Sequence, residues 1–228
     1  MIDTLVPAMT EVCGADYVIT DPAELRTYEC DGLTSHRSVP GLVVLPETAE
    51  QVAGVVRACA AAAVPFVARG SGTGLSGGAL APVDGVLIVT SRMRKILEID
   101  PHSRRAVVEP GVTNLAVSKA AEPFGYFYAP DPSSQVICSI GGNVAENSGG
   151  AHCLKHGFTV NHVTGLEVVT PDGEIVARRR YRGRPRLRPA GRVHRVRRND
   201  GHRHQDHRPA DQDPRRGDDA ARRVRDDR

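Results

Sequence analysis

Five glycines in nine residues, Gly70 to Gly78, constrain this chain more than any other feature of its sequence. The stretch follows a short apolar run, Pro65 to Ala68, which we expect to be a strand. Glycine allows positive φ and close approach to the backbone, and successive N–H groups in such a loop can converge on an anion. Three hydroxyl side chains add donors, and Arg69 adds a positive charge. The stretch predicts a phosphate or pyrophosphate loop, with a flexible surface loop as the alternative.

Gly72 to Gly77 also spells the G-x-G-x-x-G fingerprint of dinucleotide-binding folds. That fingerprint must open a helix and be followed by an acidic residue about 20 positions later. Here Pro82 and Gly85 oppose a helix, a strand is predicted at Val86 to Val89, and positions 92 and 94 carry arginine. The absence of Gly-Lys-Ser/Thr also excludes a Walker P-loop. The sequence therefore predicts a phosphate cradle between two strands.

Hydrophobic patterning around this loop indicates a small α/β unit. A capping box, Thr48 to Gln51, begins a helix that we expect to end near Ala63. This helix lies between the predicted strands Leu42–Leu45 and Pro65–Ala68. The sequence also predicts helices after Asp21 and Thr113, strands at 96–99 and 105–109, and a hairpin of strands 165–170 and 174–176 around Pro171-Asp172-Gly173.

A second glycine-rich stretch, Ser139 to Gly150, contains four glycines and the polar residues Asn143, Asn147 and Ser148. We interpret it as a second polar loop. Two such loops fit a long ligand with several polar parts, and a nucleotide cofactor fits better than a simple phosphate. The alternative is a pair of unrelated tight turns.

The charge of the chain changes abruptly after residue 176. Residues 1–176 hold 11 basic and 19 acidic side chains, a formal charge of −8, whereas residues 177–228 hold 19 arginines and 8 aspartates, a charge of +11. The first part has enough Val, Ala and Leu to bury a core. The second has few apolar residues and no periodicity, so we expect a disordered tail.

Cysteine usage indicates a reducing compartment. The five cysteines are scattered and form no C-x-x-C, which favours free thiols over disulfides or a metal site. The first 20 residues lack a signal peptide's basic start and long apolar run, and no apolar run approaches the length of a membrane span. We therefore expect a cytoplasmic protein with no membrane span and no metal site.

Four stretches, in this order and spacing, resemble the N-terminal flavin domain of FAD-linked oxidases of the vanillyl-alcohol oxidase, or PCMH, type. They are LVVLPETAE (42–50), PFVARGSGTGLSGG (65–78), APDPSS (129–134) and SIGGNVAENSGG (139–150). The last two favour the branch of glycolate oxidase and the D-lactate and D-2-hydroxyacid dehydrogenases over the sugar-lactone oxidases and cell-wall reductases that share the fold. The resemblance implies an α+β fold, a PCMH-type FAD-binding domain of two small α/β subdomains, over residues 1–176 and incomplete at its C-terminal end.

The resemblance also implies which residues hold the cofactor. Family members with covalent flavin place a histidine in the first loop, where this chain has Thr73, Gly74 and Leu75, so we expect non-covalent FAD. The first loop would hold the pyrophosphate, the APDPSS stretch would line the cofactor, and the second stretch would follow the isoalloxazine and ribityl groups. Val163 and Ile175 would flank the adenine or the ribityl chain. The predicted residues are Arg69, Gly70, Ser71, Gly72, Thr73, Gly74, Leu75, Ser76, Gly77, Gly78, Pro130, Asp131, Ser134, Gly141, Gly142, Asn143, Asn147, Ser148, Gly149, Val163 and Ile175.

The chemistry implied by this resemblance is hydride transfer from the α-carbon of a 2-hydroxy acid, of the glycolate or D-lactate type, to flavin N5. A quinone, a cytochrome or an iron–sulfur subunit would accept the electrons. In this family the groups that bind the substrate lie mostly after the flavin domain, so no catalytic residue is assigned. His152, Lys155 and His156 follow the second stretch and are candidates for a place near the flavin, with an ordinary surface or packing role as the alternative.

Residues 177–228 have three interpretations. A basic nucleic-acid tail fits the charge, but eight aspartates are interleaved and lysine is absent. A metal site would use His202, His204 and His207 with Asp206, yet the sequence shows nothing that frames it. The third interpretation is translation in the wrong reading frame.

The genetic code is compatible with the third interpretation. Back-translation of Arg195 to Asp213, read one nucleotide later, permits GSEGTMGIATKITVRLTKT, a segment of the type that the family has at this place. The stretch from Arg184 likewise permits APGYDL. We favour a frameshift, so we expect no nucleic-acid partner, weak or no FAD binding, and no turnover by the chain as written. The functional alternatives are a non-catalytic FAD-binding module and a nucleic-acid-binding protein that uses the tail.

Overall fold

The fold consists of two small subdomains, each with its own sheet and hydrophobic core. It is described from a computed structural model, which covers residues 2–179, 194–198 and 202–203. The first sheet has four strands and the second has five. Helices and strands alternate in the first subdomain and segregate more in the second. The predicted α+β fold of two subdomains is confirmed.

The first sheet carries the first glycine-rich stretch. Its strand order is β1-β2-β4-β3, with β1 antiparallel to β2 and with β4 parallel to both β2 and β3. Strands β2 and β4 are buried along their whole length, as expected for unbroken apolar runs in a parallel sheet. The bounds are β1 (Val18–Ile19), β2 (Leu42–Val44), β3 (Phe66–Arg69) and β4 (Val86–Val89).

Helices cover both faces of this sheet. On one face, α1 (Val6–Cys13) and α3 (Ala49–Ala61) pack together, and α3 buries an apolar stripe that includes Val52, Val55 and Cys59. On the other face, α2 (Pro22–Leu25) contributes Leu25 to a smaller core.

Two of the three helix-capping residues read from the sequence cap through side-chain hydrogen bonds, whereas Thr113 precedes the helix Asn114–Ala121 without making one. The Asp21 carboxylate accepts the N–H groups of Ala23 and Glu24, and the Thr48 hydroxyl accepts the N–H of Gln51 at 3.2 Å. The helix that follows Thr48 ends at Ala61, two residues before the predicted end.

The second sheet has the order β5-β6-β10-β8-β9, and all its neighbours are antiparallel. Helices α4 (Asn114–Ala121) and α5 (Ile140–Glu146) contribute Val117 and Ile140 to the core of this subdomain. The predicted hairpin around Pro171 is confirmed as β8 and β9. The bounds are β5 (Ile96–Asp100), β6 (Arg105–Val108), β8 (Val163–Val169), β9 (Ile175–Arg179) and β10 (His194–Arg198).

Several short elements complete the described part of the chain. The residue pairs Tyr126–Phe127 (β7) and His202–Arg203 (β11) form a two-stranded ladder, and α6 (Cys153–His156) and α7 (Thr159–His162) are single turns. Three-residue 3-10 turns occur at Ala15–Tyr17, Arg26–Tyr28, Thr90–Arg92 and Glu122–Phe124. Over the residues that the structure describes, no helix is both long enough and apolar enough to cross a bilayer.

The second glycine-rich stretch differs from its prediction. A polar loop was expected over Ser139–Gly150, but the first half of the stretch is helix α5. The Ser139 hydroxyl caps this helix, and Ile140 and Asn143 are 1% and 2% exposed. Each glycine inside a helix costs about 1 kcal/mol relative to alanine. The Ser139 cap and the burial of the Ile140 side chain, which contributes about 1.5–3 kcal/mol, offset that cost, and the buried Asn143 amide is hydrogen-bonded to Asn114.

Two short segments of the predicted disordered tail are strands, so that prediction does not hold for them. Strand β10 lies between β6 and β8 and pairs with both, and β11 pairs with β7. Main-chain hydrogen bonds to two strand edges do not require apolar side chains, which is why hydrophobic periodicity misses such a strand. The remainder of the predicted tail, 180–193, 199–201 and 204–228, lies outside the described residues.

Candidate functional site

A cleft of about 1100 Å³ lies between the two glycine-rich stretches. Strand β3 ends at Arg69, and residues 70–85 connect it to the parallel strand β4. The first part of this connection, residues 70–78, forms one wall of the cleft and is called the first loop below. The opposite wall includes the beginning of α5 at Gly141 and Gly142. The structure therefore brings together the two stretches that the sequence assigned to one ligand.

The first loop presents a row of backbone donors to the cleft. Residues Ser71 to Leu75 all line it, and within the described part of the chain none of their five N–H groups donates to a protein acceptor. The hydroxyls of Ser71 and Thr73 likewise make no hydrogen bond there. Unpaired donors that follow one another in a glycine-rich turn form a concavity suited to an anion such as a pyrophosphate.

A segment that the sequence did not single out holds the first loop in place. The Asp31 carboxylate accepts the N–H of Gly77 at 2.9 Å and the N–H of Leu33 at 2.8 Å. The N–H of Gly32 donates to the carbonyl of Gly74 at 2.8 Å. A Cβ on Gly32 would lie 2.8 Å from two carbonyl oxygens of the loop, so this close approach requires glycine.

The Arg69 side chain, which lines the cleft, makes its hydrogen bonds to main-chain carbonyls. Its guanidinium donates to the carbonyls of Cys30 at 2.9 Å, Ala79 at 3.2 Å and Tyr28 at 3.4 Å. Burial lowers the pKa of Arg69 below its ordinary value, and Cys30 and Asp31 partly oppose that shift. The guanidinium therefore ties the two ends of the first loop to the 28–30 segment.

The second wall is held by a buried amide network. Asn114, which is fully buried, donates from Nδ2 to the Pro130 carbonyl and to Oδ1 of Asn143, both at 3.0 Å. Asn143 in turn donates to the Cys138 sulfur at 3.2 Å and to the Ser148 hydroxyl at 3.4 Å. This network fixes the APDPSS segment, α5 and the end of the second stretch relative to one another.

One side-chain contact joins the two walls directly. The hydroxyl of Ser76, in the first loop, donates to the Glu146 carboxylate at 2.8 Å. Glu146 is the last residue of α5 and lines the cleft.

Fourteen of the predicted cofactor residues line the cleft, and seven do not. Gly77 donates to Asp31, and Gly149 lies against Cys153 and Phe158. Val163 is buried in the second core, and Ile175 lies in the β8–β9 hairpin. The residues that line the cleft are Arg69, Gly70, Ser71, Gly72, Thr73, Gly74, Leu75, Ser76, Gly78, Ser134, Gly141, Gly142, Asn143 and Ser148, and those outside its lining are Gly77, Pro130, Asp131, Asn147, Gly149, Val163 and Ile175.

The candidate histidines are also outside the lining of the cleft. His152 is 67% exposed, and its Nδ1 lies 2.5 Å from the Asp131 carboxylate. The ring of His156 packs edge-on against Phe127, with 6.1 Å between centroids. Within the described part of the chain, no three His, Cys, Asp or Glu side chains are grouped to hold a metal ion.

Sequence reasoning missed several lining residues. Ser139 and Glu146 lie within two residues of predicted site residues, and Thr90 directly follows β4. Proximity in sequence to a predicted motif or strand could therefore have identified these three. Gly32 and Pro110 lie far from both glycine-rich stretches, and no local pattern marks them. The missed residues include Gly32, Thr90, Pro110, Ser133, Cys138, Ser139 and Glu146.

Residues 40–178 match the family model of the FAD binding domain. The chain is 54% identical over 172 residues to "Glycolate oxidase subunit GlcD" of Escherichia coli K12, covering 75% of this chain and 34% of that protein. It is 39% identical over 168 residues to the protein of the same name from Bacillus subtilis, covering 74% and 36%. It is 38% identical over 137 residues to "D-lactate dehydrogenase" of Anaerostipes hadrus, covering 60% and 29%.

Solved structures agree with the fold. An alkyldihydroxyacetonephosphate synthase superposes with a TM-score of 0.75 at 21% identity, over 88% of this chain and 40% of that one. A p-cresol methylhydroxylase superposes with a TM-score of 0.67 at 23% identity, over 77% and 35%. The chain spans about a third of the length of the curated relatives. Together with the family model, these matches confirm the resemblance that the four sequence stretches indicated.

Proposed function

The chain belongs to the FAD-binding domain family, and from that membership we propose that the cleft between the first loop and α5 is its flavin site. The observation that carries the proposal is the run of five unpaired N–H groups from Ser71 to Leu75, which suits a pyrophosphate. The cleft is also at the upper end of the volumes usual for small-molecule sites, as a dinucleotide requires. Thr73, Gly74 and Leu75 provide no side chain of the kind that bonds covalently to flavin, which supports a non-covalent cofactor.

We propose that the complete enzyme oxidises a 2-hydroxy acid of the glycolate or D-lactate type. The names of the relatives support this substrate class. Bound flavin would accept the hydride, while this chain's residues hold the pyrophosphate and fix the position of the ring system. The described residues supply no assigned base. A quinone, cytochrome or iron–sulfur acceptor and a cytoplasmic location remain part of the proposal, and the five free cysteines are consistent with a reducing compartment.

We also propose that residues 177–228 are read in the wrong frame and that the chain as written is inactive. The domain boundary at 176 lies close to residue 178, where the family match ends. The shifted frame of Arg195 to Asp213 permits GSEGTMGIATKITVRLTKT, whereas the written frame gives a tail with 19 arginines. Under this proposal the written chain keeps the pyrophosphate cradle and lacks the segments that bind substrate.

Two versions of the protein test these proposals: the written chain, and a chain with the frame restored by one nucleotide near codons 176–180. Each is titrated with FAD, and each is assayed for dye reduction with glycolate and D-lactate. We expect stoichiometric flavin and activity only after restoration. An active, stoichiometrically yellow written chain would overturn the frameshift proposal. A restored chain that binds FAD without oxidising any 2-hydroxy acid would instead identify a non-catalytic module, and one that binds no FAD would refute the flavin site.

A further inference from the structure

The Ser76–Glu146 pair, called the clasp below, links the two walls of the cleft. The Ser76 hydroxyl donates to Oε2 of Glu146 at 2.8 Å across 70 positions of sequence. The other oxygen, Oε1, lies over the first loop, because a Cβ on Gly78 would be 2.9 Å from it. The carboxylate therefore contacts the first loop from the opposite side of the cleft.

The position of Glu146 is locally unfavourable. A carboxylate in the last turn of a helix meets the negative end of the helix dipole, where lysine or arginine is preferred. The next residue, Asn147, has a left-handed backbone with φ of 50° and closes the helix by main-chain hydrogen bonds to Asn143 and Val144. Capping therefore does not need the Glu146 side chain. A residue that breaks a local rule points to a role outside its own element.

The position of Ser76 at the end of the row of unpaired N–H groups also supports a role for the clasp. Within the described part of the chain, the N–H of Ser76 also has no protein acceptor, so the row of unpaired N–H groups continues through Ser76. The next N–H, that of Gly77, is held by Asp31. The end of the row is thus held by two carboxylates, Glu146 at the Ser76 hydroxyl and Asp31 at the Gly77 N–H.

We propose that Glu146 is a positioning residue which, through Ser76, sets the distance between the first loop and α5 and so pre-forms the cofactor cleft. The proposal rests on the assignment of this cleft to FAD. It predicts a favourable effect of the Glu146 carboxylate on cofactor affinity, although that carboxylate and the cofactor phosphates are both negative. The hydrogen bond to Ser76, and not the charge, is the property that matters.

A double-mutant cycle on FAD affinity tests the clasp in the frame-restored protein, the version that we expect to bind FAD stoichiometrically. Glu146→Ala and Ser76→Ala should each weaken FAD binding by about three- to tenfold, the range of a single hydrogen bond. The double variant should be no weaker than either single variant, because both remove the same contact. Glu146→Gln keeps an acceptor oxygen and should bind FAD within about twofold of the parent. Glu122→Ala, an exposed carboxylate outside the cleft lining, is the matched control.

Three results would overturn the proposal: tighter binding by Glu146→Gln and Glu146→Ala, as charge repulsion predicts; multiplicative losses in the double variant; or no loss in Ser76→Ala.

Amide hydrogen exchange tests the clasp without any cofactor. The Gly77 N–H is protected by Asp31, so its exchange reports opening of the loop. Glu146→Ala and Ser76→Ala should accelerate this exchange about three- to tenfold, while Glu146→Gln and Glu122→Ala leave it unchanged. Unchanged exchange in both clasp variants would refute the proposal. If the frame-restored protein binds no FAD, the flavin assignment fails, and the exchange rates still decide whether the clasp positions the loop.

Discussion

The Asp31 carboxylate accepts the N–H of Gly77 at 2.9 Å, across 46 positions of sequence. Asp31 is only 6% exposed, and its second oxygen accepts the N–H of Leu33 at 2.8 Å. Each carboxylate oxygen of Asp31 thus accepts one backbone N–H group, one from Gly77 and the other from Leu33. Asp31 therefore holds the end of the first loop from outside the lining of the cleft.

Replacing Asp31 by alanine should destabilise the fold by about 1–3 kcal/mol, because the partly buried N–H groups of Gly77 and Leu33 lose their acceptor. Urea denaturation monitored by circular dichroism measures the change. Asp16→Ala is the control, since this exposed carboxylate should change the free energy of unfolding by no more than about 0.5 kcal/mol. Equal effects of the two substitutions would show that Asp31 does not anchor the loop.

Gly32→Ala should disrupt the first loop, because the new Cβ would lie 2.8 Å from the carbonyl oxygens of Thr73 and Gly74. Backbone atoms at that distance have to move, so we expect a lower melting temperature and faster proteolysis within the loop. Gly74→Ala is the matched control, since its Cβ would meet only Glu146 at 3.8 Å. A Gly32→Ala protein as stable as the control would contradict the close approach.

Arg69→Lys should be nearly as damaging as Arg69→Met, because one ammonium group does not replace a fork that reaches three carbonyls. We expect a loss of about 1–3 kcal/mol in the free energy of unfolding for each. If the charge of Arg69 instead bound the cofactor phosphates, the lysine variant would keep its affinity for FAD and the methionine variant would lose it. Thermal denaturation and FAD titration separate the two roles, with Arg94→Lys, an exposed position, as control.

The free energy of unfolding should fall between pH 9 and 11 because of ionisation of the Cys59 thiol. Burial raises the pKa of this thiol from 9.0 to about 11. The unfolded chain therefore releases the proton at lower pH than the folded one. The contribution of Cys59 is fully present below pH 9 and is lost as the pH rises through about 11, a change of about 2–3 kcal/mol.

Denaturation at several pH values measures this loss as the difference between the parent and Cys59→Ala, in which the Cys59 contribution is absent. A Cys59→Ala protein with the parent's slope would show that another group causes it.

The elements that were predicted correctly from the sequence are those whose structure depends on residues close together in the chain. Strands β2 and β4 are unbroken apolar runs buried on both faces, and Asp21 and Thr48 cap helices through contacts two or three residues away. Helix α5 could not be predicted in this way. Its glycines disfavour a helix, and much of its stability comes from contacts with residues distant in sequence, through the buried Ile140 side chain and the Asn114–Asn143 hydrogen bond.

The same distinction between local and long-range contacts applies to the candidate site. Glycine spacing indicates the first loop, because the requirement for an open backbone is local. The contacts that hold that loop are not local, since Asp31 and Gly32 reach it across some forty residues and carry no motif. The sequence identifies the positive charge of Arg69. The direction in which its guanidinium points depends on which carbonyl groups the fold brings near it.

The connection between β3 and β4 is also the candidate ligand loop. Neighbouring parallel strands need a crossover connection, which in most proteins is an α-helix packed on the sheet. Here residues 70–85 serve instead, so ligand binding and formation of the first sheet are thermodynamically linked. A ligand that binds only the folded loop adds about 2.7 kcal/mol to stability at a free concentration 100 times its Kd. Flavin would thus act as a folding ligand, and cells short of flavin would contain less folded protein rather than a reserve of stable apoprotein.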